Sequence, residues 1–400
     1  MKRYRLKKYD QDLLAFSMDK DNYGQDRLAD LCLLADPKEL PDGLRPNTDA
    51  LFSWIKHRLL PLKRIHAKTI LRVQHLQPYD WMAQIEACRL LSVNDPYWAA
   101  EEGSTESWKG CNLYENAFDE NLSLTALTGI PYPLKDLLPG PEMTTNGQLP
   151  KMWKRKNGRL HLYKGSAGSS QDSGLVSRSG REPYNEFYAS QILHFLGIRH
   201  VFYGLQNVEG SLVSVCEAFT SPEISYVPMG HIVHTPYLDD LAEVLQKADA
   251  FEDFADLALA DALMLNEDRH YGNFGLLKDN ETGRWIGLAP LFDHGLSLFA
   301  GLGDEAMDDP GQVQDYVQSH SLSAIGVSHR QLVTAFCTRR HRDMLRKMPD
   351  FHFVRHPLYN LSEKRIAWIE NWLHERAREM LEWIEADKNP DTSNSKPASH

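Results

Sequence analysis

The sequence predicts a mixed α+β chain. A helix-rich N-terminal region leads into a small antiparallel sheet carrying one helix, and a mostly helical half follows. Three observations predict it. Asn157-Gly158 and Glu209-Gly210 each separate a pair of strand-like runs, as expected of hairpins. FEDFADLALADALML (251 to 265) and RIAWIENWLHERAREMLEWIE (365 to 385) carry apolar residues at helical period. Between these two helices lies LNEDRHYGNFGLL (265 to 277), a polar cluster bounded by apolar runs.

The elements follow in order. Residues 1 to 139 form an N-terminal accessory region expected to be mainly helical, on segments such as DALFSWIKHRLL and DWMAQIEACRLL. Residues 91 to 118 read as a loop whose aromatics, Trp98, Trp108 and Tyr114, pin it to a core. PGPEMTTNGQLPKMW is Pro, Gly and Thr punctuation. KMWKRKNGRLHLYKG then folds back around Asn157-Gly158, and the Gly/Ser-rich run 165 to 181 reads as a mobile linker. EPYNEFYASQILHFLG is a helix, with Pro183 in its first turn and Gly197 as its stop. Residues 140 to 221 thus make the sheet-bearing part. Residues 222 to 385 turn helical, interrupted by the hairpin FGLL-KDNETG-RWIGL and the run LAPLFDHGLSLF. The polar end, residues 386 to 400, is expected to be disordered.

Composition narrows the function classes. Of 400 residues, 42% are hydrophobic and 25% charged, enough for sizeable cores. The formal net charge of -11 argues against nucleic acid or an anionic membrane as the main partner. Five scattered cysteines without a CxxC pair suit a reduced, cytoplasmic chain. No apolar run approaches the roughly 18 to 20 residues of a membrane span.

The chemistry lies in spacing. Asp268 and Asn273 sit where a helix gives out before a strand, and Asp293 where the returning strand stops. A hairpin that leaves and returns can bring the three together. Two carboxylates and an amide oxygen suit Mg²⁺, a hard cation that completes its shell with water and phosphate. Phosphoryl transfer also needs a group to orient the hydroxyl nucleophile, a role open to Asp268, and a cation over the phosphates. Lys164 shares a strand face with Leu160 and Leu162 and so needs an anionic partner. Glu186, on one helical stripe with Ala189, Leu193 and Leu196, is the candidate. His270 is expected to hydrogen-bond backbone beside the metal loop. Arg269 reads equally as a solvated charge or as the partner of Asp293 or a phosphorylated residue.

TTNGQLPKMW, LYKG, NEFYASQILHFLGI, LNEDRHYGNFGLL and LAPLFDHGLS together resemble the HipA-like serine/threonine kinases. The likeness spans roughly residues 140 to 380. It implies a two-lobed, protein-kinase-like fold with a small antiparallel N-lobe and a helical C-lobe. It also implies a phosphate loop at Thr145, Gly147 and Gln148, with one residue displaced from the family's Ser-Gly-x-Gln-Pro-Lys pattern. Lys164 would then contact ATP, held by Glu186. Asp268 would be the catalytic base, and Asn273 and Asp293 the Mg²⁺ ligands, with His270 nearby. The strand LVSVCEAF would form the adenine hinge, with Glu217 and Phe219 offering backbone contacts. DRHYGN also matches the Asp-Arg-His-x-x-Asn run of phosphoinositide kinases. The function expected is ATP- and Mg²⁺-dependent phosphorylation of a protein Ser or Thr by a toxin-like or regulatory enzyme with an antitoxin partner. The alternatives are a small-molecule or lipid kinase of the same fold, or a nucleotide-binding pseudokinase scaffold. A Ser-rich run at 166 to 179 offers autophosphorylation sites, with plain linker the commoner reading.

Overall fold

The computed structural model describes residues 1–135, 137–168, 180–235, 237–323 and 325–386. The Gly/Ser-rich run and the polar C-terminal end therefore lie mostly outside the described residues. The chain divides into two compact units: Met1–Val176 with Gln206–Ile232 and Leu276–Ile286, and Ser177–Leu205 with Val233–Gly275 and Gly287–His400.

The first unit opens on strands β1 (Lys2–Lys8), β2 (Gln11–Lys20), β3 (Asp26–Leu33) and β4 (Tyr97–Glu101), ordered β3-β2-β1-β4 and pairing antiparallel. This sheet corrects the expectation of a mainly helical N-terminal region. The expected helices do form, as α1 (Thr48–His57) and α3 (Trp81–Cys88), alongside α2 (Ala67–Val73), α4 (Trp108–Cys111) and α5 (Glu120–Thr128). The strands escaped notice because β1, KRYRLKK, reads as a basic run. Only Tyr4 and Leu6 in it are buried, while Arg5 and Lys7 pair with Glu102 and Asp12 on the exposed side. Trp98, Trp108 and Tyr114 are buried in one apolar cluster, as the anchoring role required.

The same unit holds β5 (Lys151–Lys156), β6 (Arg159–Lys164), most of β7 (Gly204–Val208) and β8 (Ser211–Glu217), ordered β5-β6-β8-β7. Both expected hairpins form. Asn157 and Gly158 have φ of 51° and 76°, and Glu209 and Gly210 have 50° and 81°, so both central residues of each turn are left-handed. A third sheet, ordered β11-β10-β9, combines β9 (Ile224–Pro228), β10 (Gly275–Asp279) and β11 (Trp285–Leu288). Thus β9 interrupts the stretch from 222 expected to be helical. Polar contacts fasten the N-terminal region to this third sheet: Lys278 pairs with Asp42 at 2.9 Å, and the Tyr226 N–H donates to Asn94 O at 2.8 Å.

The second unit contains α6 (Glu182–Leu196), α7 (Leu238–Lys247), α8 (Phe251–Met264), α9 (Pro310–Ser319), α10 (His329–Phe336), α11 (Arg339–Lys347) and α12 (Glu363–Ala386). Helix α6 starts with Pro183 in its first turn and stops at Gly197, whose φ is 71°. Helix α8 is buried from Phe254 to Met264, because α7, α10 and α12 all pack on it. Along α12, Ile366, Ile369, Leu373, Ala377, Met380 and Ile384 are buried, which makes one apolar stripe at helical spacing.

His329 on α10 is 1% exposed, and among the described residues neither ring nitrogen has a hydrogen-bond partner. Burial pushes its pKa below the usual 6.5; Arg376 adds to that and Asp261 opposes it. Above pH 6.5 both the folded and unfolded ring are neutral and this contribution is complete. Below that, the unfolded chain takes up the proton first, so stability falls at up to about 1.4 kcal/mol per pH unit until the folded pKa is reached. Urea midpoints taken at about pH 7.5 and about pH 5.5 should therefore fall further in wild type than in His329→Leu. Equal losses would contradict the assignment.

Candidate functional site

In the second unit, the polar cluster begins where α8 ends. Leu265 takes a left-handed conformation, φ 50°, and its N–H closes back on Asp261 O. That conformation costs a leucine about 1 kcal/mol and is held here by complete burial. The chain then leaves helix geometry and exposes Asp268, whose side chain is 42% accessible. Asn273 is 8% exposed. Its amide nitrogen donates to Asp268 O at 2.9 Å and lies 3.4 Å from Asp268 Oδ2. With the nitrogen committed, the amide oxygen is the atom a cation would take. The His270 ring is exposed rather than packed. Its Nδ1 accepts the Gly272 N–H at 2.9 Å, and Nε2 lies 4.0 Å from Asp268 Oδ1.

The loop bearing Asp293 is tied to this segment. Glu267 N–H donates to Leu296 O at 3.0 Å, and Leu298 N–H to Met264 O at 2.8 Å. Arg269 makes the decisive link. Its guanidinium, 1% exposed, binds Asp261 through two nitrogens at 2.9 and 3.1 Å. It also donates to Asn273 O at 2.5 Å and Phe292 O at 2.9 Å, and meets His294 Nε2 at 3.0 Å. One buried cation therefore joins the Asp268–Asn273 turn to the residue preceding Asp293. Arg269 is therefore not a solvated charge, and the acid that takes two of its nitrogens, Asp261, sits one helix back, at the end of α8.

Asp293 itself has φ 60°, a conformation that Asp tolerates better than most residues. Its N–H lies 3.3 Å from the Tyr203 hydroxyl. Glu186 is fully buried, and its Oε2 accepts the His294 N–H at 2.9 Å. The stripe expected on α6 is real, since Glu186, Ala189, Leu193 and Leu196 are all buried. Strained backbone gathers here, at Leu265, Asp293, Leu298 and Phe299, which is common where side chains must be aimed rather than merely packed.

In the first unit, Lys164 ends β6. Strand register pairs it with Lys151 on one side and Ser214 on the other. Paired residues share a face, so Lys164 and Lys151 lie on the same side of the sheet as Trp153, Leu160 and Leu162. Like charges placed opposite each other destabilise a sheet, so each ammonium of the pair needs a partner of its own. Lys151 is 6% exposed, and its ammonium donates to Asn146 O at 2.6 Å. The loop above is exposed at Asn146, Gly147 and Gln148, with Gly147 at φ 95°. Leu149 is buried and anchors the loop. The Thr145 hydroxyl works within the loop base, donating to Pro141 O at 2.6 Å and accepting Trp153 Nε1–H at 2.9 Å. Glu217 ends β8 with its exposed carboxylate paired to Arg159 at 2.7 Å, and Phe219 meets the Tyr226 ring edge-on at 5.6 Å.

Lys164 thus belongs to the first unit and Glu186 to the second, as do Asp268, Asn273 and Asp293. Sequence reading named Lys151 only as the end of the phosphate-loop run, without its place opposite Lys164, and did not single out Asp261 or His294. That place was recoverable: a two-residue turn at 157 and 158 pairs position 151 with 164 by counting outward. The donor set of Asp268, Asn273 and Asp293 fits Mg²⁺, which takes few protein oxygens and leaves the remainder to phosphate and water. Among the described residues, no helix is long and apolar enough to cross a membrane.

Fold and loop architecture define the class first. This is an α+β protein with the HipA-like kinase fold. Among solved structures, the chain is similar to the Helicobacter pylori proinflammatory kinase CtkA, with a TM-score of 0.51 at 18% identity, covering 65% of this chain and 97% of that one. It is also similar to HipA of the Shewanella oneidensis MR-1 toxin–antitoxin system, solved with HipB and its operator DNA. That match has a TM-score of 0.53 at 12% identity and covers 97% of this chain and 100% of the other. The second likeness reaches well beyond residues 140 to 380 into the N-terminal region. No protein-family model matches the chain, and no curated protein matches it in sequence.

Proposed function

We propose that the chain is an ATP- and Mg²⁺-dependent protein serine/threonine kinase that transfers the γ-phosphate of ATP to a Ser or Thr hydroxyl. The observation that carries the reading is the Arg269 bridge, one buried guanidinium holding the Asp268–Asn273 turn and the strand end before Asp293. A structural loop has little use for two acids aimed from tethered, strained turns. In-line phosphoryl transfer needs that arrangement.

Asp268 orients the incoming hydroxyl and accepts its proton. Asn273 and Asp293 offer oxygens to Mg²⁺, which when bound neutralises charge developing on the phosphate oxygens. Glu186 fixes the Asp293 loop through the His294 backbone. Lys164, with Lys151 opposite, supplies positive charge to the nucleotide phosphates, Gly147 and Gln148 the loop over them, and Glu217 and Phe219 the adenine contacts. His270 borders the nucleotide. In this reading residues 140–221 are the kinase N-lobe and 222–385 the C-lobe. The likeness to a HipA solved with HipB supports a regulatory, toxin-like role with an antitoxin partner, and the scattered cysteines without a CxxC pair support a cytoplasmic setting.

The test is incubation of purified protein with γ-labelled ATP and Mg²⁺, alone and with cell-extract proteins, lipids and small metabolites. Wild type should label itself or a protein on Ser or Thr. Labelling should vanish on chelation and fall steeply in Asp293→Asn. Label found only in lipid or metabolite would move the assignment to a small-molecule kinase of the same fold. ATP binding without any transfer would move it to a scaffold.

A further inference from the structure

We infer that Arg64, in the N-terminal region, is a positioning residue that closes the base of the 142–151 loop and thereby sets its shape for nucleotide. Its guanidinium donates to Glu142 O and to Lys151 O, each at 2.7 Å. These two carbonyls lie at opposite ends of the loop, so one planar fork spans it, a geometry open to arginine and not to lysine's single ammonium. The neighbouring Ile65 N–H donates to Gln148 O at 2.9 Å, so consecutive residues of the N-terminal region hold the loop at three points.

The setting argues for a purpose beyond packing. Arg64 is 2% exposed, and burying a cation is costly unless its bonds repay it. Burial brings its pKa down to about 10, opposed by Glu142, so it stays charged at neutral pH. Beside it the Glu142 carboxyl is fully buried, with Oε1 accepting Ser123 Oγ–H at 2.7 Å and Trp153 N–H at 3.0 Å. Gln74 on the N-terminal side reaches Met143 Sδ at 2.7 Å. A polar core has therefore been built under an exposed loop that carries Gly147 at φ 95° and the Lys151 ammonium. An apolar plug would have filled the space with less desolvation. It would not have fixed the distance between residues 142 and 151. The N-terminal region is thus part of the loop's support rather than an appendage.

The functional half of this inference rests on the nucleotide reading given above; the structural half does not. The experiment uses the full chain as wild type, Arg64→Lys, and Arg58→Lys as control. Arg58 is a buried arginine of the same region that donates to Leu90 O and Tyr97 O, away from the loop. Amide hydrogen exchange of ligand-free protein is read over peptides covering 141–151, and affinity for a fluorescent ATP analogue is measured in parallel.

Losing one charged hydrogen bond should raise loop exchange and weaken analogue binding roughly tenfold in Arg64→Lys. Turnover at saturating ATP should change less than about twofold, since a loop that only positions nucleotide acts on binding rather than on the chemical step. Arg58→Lys should leave both loop readouts at wild-type values. Unchanged loop exchange and affinity in Arg64→Lys would overturn the inference, and so would equal changes in both variants. A wild type that binds no nucleotide would overturn the reading of the loop, while the exchange result still decides the clamp.

Discussion

Replacing Arg269 with methionine is expected to destabilise the second unit by about 3–5 kcal/mol, the largest stability effect of any single change proposed for this chain. The cause is what the substitution leaves behind. Asp261 is 2% exposed at its side chain and takes two nitrogens from Arg269. Its remaining bond in this cluster comes from the Asn266 amide at 2.8 Å. Without the guanidinium, a buried carboxylate stands uncompensated, and the carbonyls of Asn273 and Phe292 lose a charged donor. Urea unfolding followed by Trp fluorescence, whose probes Trp368 and Trp372 pack on Phe299 near the loop, measures it. The double variant Arg269→Met with Asp261→Leu should recover a good part of the loss, because the orphaned charge goes with its partner. A single variant within about 1 kcal/mol of wild type would show that the bridge carries little.

Those residues also show where sequence reading succeeds and stops. Both hairpins of the β5–β8 sheet were legible because a turn dipeptide and its flanking alternation are local. Helices α6 and α8 were legible because apolar period and capping are local too. Asp268, Asn273 and Asp293 could be nominated from their positions at element ends. The role of Arg269 could not. It depends on Asp261, which lies inside a uniformly buried helix where one more acid carries no visible sign of facing the loop. The N-terminal sheet was hidden for a related reason: β1 shows its partners only two inward side chains, Tyr4 and Leu6, among five basic residues, and its pairing with β4 spans most of the N-terminal region. Likewise Arg64 sits in PLKRIH, an ordinary basic surface run by composition, and is nonetheless buried.

Asp268→Asn is expected to lower turnover roughly 10²–10⁴-fold, the range for losing a positioned proton acceptor, while Mg²⁺·ATP affinity stays within about threefold of wild type. The split follows from the geometry. Asp268 presents its carboxyl outward at 42% accessibility, and Asn273 is anchored first to the Asp268 backbone carbonyl, which the substitution leaves in place. The asparagine keeps shape and hydrogen-bonding capacity but cannot take the hydroxyl proton. The Asn273 amide therefore stays oriented, and the nucleotide should bind as before. Asp293→Asn should behave differently. Its carboxylate is assigned to the metal, so its loss should show first as weakened Mg²⁺ affinity, with activity partly recovered at high Mg²⁺. Single-turnover rates and Mg²⁺ titrations on the two variants separate the roles. If Asp268→Asn lost nucleotide affinity and turnover in equal measure, its carboxylate would be a ligand-binding group, and the proton-accepting role would have to pass to another residue or to water.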